Sequence, residues 1–402
     1  MVAGFSCCRF AIDNIKPLVM TNTKTALKYN SEVLDKLVYI DHIKLLLTLL
    51  VVLHHTFIAY SSPEGWYYNE PTAYRGARLP MMMFVSVNQS FFMGYFFLLA
   101  AYFTGSSYTK KGAFKFIKDR LVRLGIPLLF YSFILTPFIC YLVYYFTKRP
   151  IGYIEYLNRY DSWIDLGVTW FIAALLLFTL VYAIFRILFK TGYNKPLAVP
   201  SLRIILWFAV ALGIISFLVR IVFPVGWVLK PVGFQLGHFP QYIALFVVGL
   251  LASKNNWFSQ LSDRTGRQLK RSAWLCLLVF PVFFFIALKL NTPPAWFSGG
   301  FHWQALVYDV WEQWIGISIL TALLVKGKRS WNISSKRLTG WSRSSFAVYI
   351  FHTLVIVAIT LALRNWNVDP AIKLFLAAPL IILGSFTLGS LVLLIPGVRK
   401  II

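Results

Sequence analysis

Blocks of about 20 apolar residues, each long enough for a helix to cross a hydrocarbon layer roughly 30 Å thick, recur along this 402-residue chain. They fall at 37–60, 81–104, 124–146, 167–189, 201–223, 238–253, 273–291, 304–325, 345–363 and 372–395. Within lipid every backbone polar group must be satisfied inside the segment, so blocks of this length read as α-helices. The expected fold is an all-α polytopic membrane protein of about ten transmembrane helices. Composition agrees: 58% of residues are hydrophobic and 13% charged, against about 25% charged in ordinary soluble domains. A water-soluble enzyme is excluded.

A formal net charge of +25 would suggest nucleic acid in a soluble protein, so the placement of the basic residues decides its meaning. They gather in alternate connections: Lys110, Lys111, Lys115, Lys118, Arg120 and Arg123 after the second block, then Lys190, Lys195 and Arg203, then Lys254 to Arg271, then Lys326 to Arg343. The intervening connections hold only Arg75, Arg78, Lys148, Arg149, Arg159, Lys230, Lys289, Arg364 and Lys373. This bias of roughly three to one places both termini in the cytoplasm by the positive-inside rule. The charge is orientation in a lipid bilayer, not a nucleic-acid site. Residues 1–36 read as a cytoplasmic lead-in, 37–395 as the transmembrane domain and 396–402 as a short cytoplasmic tail.

Four cysteines cannot build a disulfide framework, and neither a phosphate-binding glycine loop nor a Cys/His metal pattern is visible. No metal and no tightly bound cofactor are expected. Chemistry must therefore come from ionisable residues within the spans, where each costs a few kcal/mol and faces a polar interior. The first block carries Asp41, His42, Lys44, His54 and His55. At about 100° per residue, His55 lies within about 20° of Lys44 and about 16 Å further along the helix. Asp41 falls on the same stripe, whereas His54 points about 80° away from Lys44. His55 is thus the better catalytic candidate of the two histidines. The competing reading has Lys44 snorkelling to the surface and the histidines bonding neighbouring helices.

Two further groups stand out. Arg120 and Arg123, three residues apart ahead of Leu124 and Pro127, would form one cationic helical face suited to bidentate bonds with phosphate oxygens. In the eighth and ninth blocks, Asp309, Glu312 and His352 need partners within lipid; Lys44, Arg186 and Arg220 are the cations available to the acids for purely structural pairing. On the opposite side, Trp66, Tyr67, Trp296 and Trp303 with Glu64, Glu70 and His302 suit sugar stacking or interfacial anchoring alike.

Asp41-x-x-Lys44 followed after ten residues by His55 resembles the first-span signature of the acyltransferase 3 family. Arg120-x-x-Arg123 is similar to the family's cytoplasmic RxxR motif, and Phe91 to Tyr102 to its aromatic second span. Trp170 to Ile172, Phe246 to Leu250 and Ser345 to His352 follow in family-like order, over residues 37–395. Lys44 stands where many members carry Arg, His54 is an additional histidine, and the hydrolase-like domain fused to some members is absent. The resemblance implies transfer of an acyl group, acetyl or another short acyl, from cytoplasmic acyl-CoA to a hydroxyl of an extracytoplasmic or membrane-linked glycan. It implies His55 as base or acyl carrier, Lys44 and Asp41 as its catalytic companions, and Arg120 with Arg123 as the acyl-CoA phosphate ligands. Glu312, His352, Asp309 and His54 follow as residues handling acceptor or protons. The alternative reading is a proton-coupled transporter, which also uses intramembrane His, Asp and Glu. No matched pair of Gly/Pro-broken spans supports it.

Overall fold

The computed structural model describes residues 16–189, 196–333 and 335–401, with side chains from Val38 onward except those of Leu288, Lys336 and Arg337. Among these residues it is all helix and turn, with one isolated bridge between Leu229 and Phe234. Nine helical stretches among the described residues are long and apolar enough to cross a membrane. The chain is thus an all-α, multi-pass membrane protein. The remaining expected span, the eighth block at 304–325, lies within a 28-residue helix whose apolar run is interrupted by Gln304, Asp309, Glu312 and Gln313. That helix is the polar spine of the bundle.

The main helices are α1 (Lys16–Ser61), α2 (Arg75–Gln89), α3 (Phe92–Lys111), α4 (Ala113–Thr147, with two π-turns), α5 (Trp170–Leu188) and α6 (Leu202–Val222). They are followed by α7 (Phe239–Lys254), α8 (Asp263–Lys289), α9 (Trp303–Ser330), α10 (Lys336–Leu363) and α11 (Pro370–Val392). Lys190 and Lys195, read above as part of a basic connection, lie outside the described residues.

The expected second span, 81–104, is broken where α2 meets α3 at Ser90 and Phe91. The interruption is stabilised because Gln241 Nε2 donates to the Ser90 carbonyl at 2.7 Å, replacing a lost helical bond. Gly316 of α9 sits against this carbonyl, where a Cβ would strike it. Gly249 likewise lets α7 approach the Leu98 carbonyl of α3, so these two helices pack closely. In α4, π-turns occupy Leu121–Gly125 and Tyr131–Leu135, ahead of Pro127 and Pro137. Each proline lacks an N–H and crowds the carbonyl four residues back, and the wider turn absorbs the mismatch.

Helix α1 runs through the middle, touching α2, α9, α10 and α11. Its Ile43, Leu47 and Val51 face one large core cluster; Leu45, Val52 and Ala59 face a second with α11. Both faces of α1 are therefore committed to protein. Outward, Trp207, Leu278, Val282 and Phe375 are exposed, as a lipid-facing belt requires.

Candidate functional site

His55 lies in the half of α1 nearer Ser61, in a cavity of about 460 Å³ walled also by His54, Trp66, Tyr67, Gln89, His238 and Tyr349. The loop after α1 roofs it. That loop is pinned near its later end: Glu70 N–H donates to the Ala59 carbonyl at 2.8 Å, and Thr72 donates to Asp369 at 2.8 Å. Asp369 also caps α11, accepting the Ala371 N–H beside Pro370 at the first helical position. Glu70 further pairs with the buried Lys373. Trp66 is thereby held flat against His55, rings 4.4 Å apart and 18° from parallel. On the same loop, burial holds the Tyr67 phenol well above its usual pKa, so it remains a hydrogen-bonding O–H, 3.2 Å from the Tyr131 hydroxyl.

His55 also meets His352 edge to edge through a ring nitrogen, 5.1 Å between centroids. Hydrogen bonds then dictate the tautomers. His352 Nδ1 lies 2.7 Å from the Tyr349 carbonyl, an acceptor, so Nδ1 carries the proton. In the neutral ring His352 Nε2 is then an acceptor, and His55 Nδ1, 2.9 Å away, must donate to it. The His55 Nε2 lone pair is left over, with no protein partner among the described residues. A neutral imidazole oriented at one nitrogen and bare at the other is the arrangement of a general base.

His54 corrects the helical-wheel expectation. It lies 100° around the helix from His55 by geometry, yet both line the cavity, because the space wraps around more than one face of α1. Its ring lies 4.7 Å from Phe92, and among the described residues its buried Nδ1 lacks a partner.

Asp309 and Glu312 converge elsewhere. Arg220 of α6, wholly buried, pairs with Asp309 and with Glu312 at 2.7 Å, and donates to the Gly237 carbonyl at 3.0 Å. Its Nη2 lies 2.8 Å from His238 Nδ1. Gln313, Gln241 and the Ser90 carbonyl extend the network. The two acids touch the cavity wall through His238, not directly. Arg186, the other arginine considered above for structural pairing, bonds Tyr182 instead.

A second cavity, about 500 Å³, opens toward the other end of α1 and is lined by Lys44, Lys111, Asp119, Arg120, Arg123, Arg343 and Tyr349. Lys44 sits 3.2 Å from Asp41 and 4.9 Å over the Phe103 ring. Asp41 is exposed and bonds Lys44, remote from the imidazoles; it is not among the lining of either cavity. The shared face of α1 therefore leads to two separate spaces. Arg120 is half buried against Phe116, whereas Arg123 is exposed and 3.9 Å from Asp119; the π-turn beginning at Leu121 turns them apart. Arg343 escaped sequence reasoning because it resembled any other basic flank.

Tyr349 alone of these residues lines both cavities. Its hydroxyl donates to the Val168 carbonyl and its ring meets Phe171 edge-on at 5.8 Å. Among the described residues no three His, Cys, Asp or Glu side chains meet to hold a metal ion.

A family model, described as an acyltransferase domain, matches residues 37–393. The chain belongs to the acyltransferase 3 family. Curated relatives include proteins named glucans biosynthesis protein C from Salmonella paratyphi B and Salmonella dublin. Each is 24% identical over 325 residues, covering 78% of this chain and 80% of the relative. No solved structure matches. Within this acyltransferase domain, His55 with His352 and Lys44 with Arg120 and Arg123 form two groups toward opposite ends of the membrane-spanning part of α1, Val38–Ser61.

Proposed function

We propose that this membrane acyltransferase moves an acyl group from acyl-CoA to a hydroxyl of a glycan. One observation carries the reading: two cavities of opposite chemistry, one cationic and one built on neutral imidazoles, are separated by the Tyr349 side chain. Arg120, Arg123, Arg343, Lys111 and Lys44 suit the phosphates of acyl-CoA, acetyl-CoA foremost, and the thioester reaches past Tyr349. The glycan hydroxyl enters the other cavity, where Trp66 and Tyr67 offer faces for sugar. His55 Nε2 takes the hydroxyl proton as oxygen attacks the thioester carbon, and returns it to the departing CoA sulfur. The name of the Salmonella relatives, which refers to glucan biosynthesis, supports a carbohydrate acceptor. With the cationic cavity cytoplasmic, as the positive-inside rule directs, the enzyme sits in the cell membrane with both termini inside.

Sealed proteoliposomes test this. Acyl-CoA is expected to be consumed only from the cationic side, with no ion gradient, while acyl label appears on glycan opposite. His55→Ala should lower transfer roughly 10²- to 10⁴-fold at nearly unchanged thermal stability. Solute uptake driven by a proton gradient without release of CoA would establish the transporter reading instead.

A further inference from the structure

The Arg220 cluster has a face on the histidine cavity, and that face is His238. A guanidinium has only donors, so the 2.8 Å contact from Arg220 Nη2 makes His238 Nδ1 the acceptor. The proton of the neutral ring is then on Nε2. Among the described residues no protein group accepts from that nitrogen, although the side chain is only 8% exposed and lines the cavity with His54 and His55. The ring is held in place: Arg220 is fixed by Asp309, Glu312 and the Gly237 carbonyl next to His238 itself, and Tyr242 lies nearly parallel to the imidazole.

His55 and His238 thus present complementary nitrogens to one space. His55 Nε2 is a lone pair; His238 Nε2 is an N–H. The geometry points to His238 as a further catalytic residue, the hydrogen-bond donor to the acyl carbonyl oxygen of the donor thioester. The inference rests on the acyltransferase reading of this cavity. As the acceptor hydroxyl oxygen bonds to the carbonyl carbon, its proton passes to His55 and the carbonyl π pair moves onto oxygen. That oxygen, now negative, accepts from His238 Nε2–H. Collapse restores the C=O, breaks the C–S bond, and the sulfur leaves with the proton from His55, giving ester and free CoA thiol. A donor fixed in advance by a buried ion cluster stabilises charge that develops only in the transition state, so its value appears in kcat. A donor to the acceptor hydroxyl would instead act on acceptor KM.

The test compares His238→Leu with His238→Gln, whose amide keeps a donor at similar reach and an oxygen to accept from Arg220. His238→Leu should lose roughly 100- to 1,000-fold in kcat, with acceptor KM little changed. The same loss should appear in slow hydrolysis of acyl-CoA without acceptor. His238→Gln should recover about tenfold or more of the loss at a melting temperature equal to that of His238→Leu. Three results would overturn the assignment: His238→Leu at full kcat, an effect confined to acceptor KM, or two variants equally inactive in step with lost thermal stability. Normal transfer by His55→Ala would instead sink the proposed function, so the two failures are distinguishable.

Discussion

The two cavities on either side of Tyr349 are similar in size, about 460 and 500 Å³, but their polar groups are used differently. At the histidine cavity the imidazoles are each fixed on one side by a buried neighbour: His55 by His352, His352 by the Tyr349 carbonyl, and His238 by Arg220, which two acids hold in turn. The nitrogens left over are few and directional. In the cationic cavity Lys44, Arg120 and Arg123 keep partial exposure and few partners. Low exposure and mutual bonding hold groups for a single geometry, as transition-state stabilisation demands. Half-solvated cations tolerate a ligand that arrives with several charges and leaves again.

Replacing Arg220 would break this contrast most severely. Arg220→Leu leaves Asp309 and Glu312 buried without a cation and should cost about 3–5 kcal/mol of stability, read as a fall in thermal unfolding temperature in detergent. The double variant Asp309→Asn, Glu312→Gln in that background should recover part of the loss. A stable Arg220→Leu single variant would show the cluster to be far more solvated than its burial implies.

At the cationic cavity effects should be smaller and graded by burial. Arg120→Ala should weaken CoA binding by about 1.5–3 kcal/mol, the worth of a charged hydrogen bond. For Arg123→Ala, exposed and shared with Asp119, the loss should be about 1 kcal/mol or less. Calorimetric titration of CoA onto each variant measures both, and the opposite order would show that Arg123 rather than Arg120 carries the phosphates.

The smallest expected effect lies between the cavities. Tyr349→Phe keeps the ring and removes one hydrogen bond, about 1 kcal/mol, so stability should barely change while thiol release from acyl-CoA without acceptor rises a few-fold. Unaltered release would mean that the bond to Val168 does not hold the wall in place.

The sequence determined the membrane character, the helical class and the position of nearly every span, because a 20-residue apolar block has one way to satisfy its backbone in lipid. It also isolated the ionisable residues, since each is conspicuous against an apolar background. His55, Arg120 and the pair Asp309 and Glu312 were therefore legible as residues, though not as neighbours. Tertiary structure alone decided which of them meet. The break at Ser90 depends on Gln241 from a distant helix, and a helical wheel could not show that His54 shares a cavity with His55. Asp41, placed by periodicity on the stripe of His55, is held by Lys44 at the far end. His238 carried no sequence signal, because a histidine's role here is set by which nitrogen its neighbour claims. That neighbour, Arg220, lies on a separate helix, and only the packing of α6 against α9 and the start of α7 brings the two together.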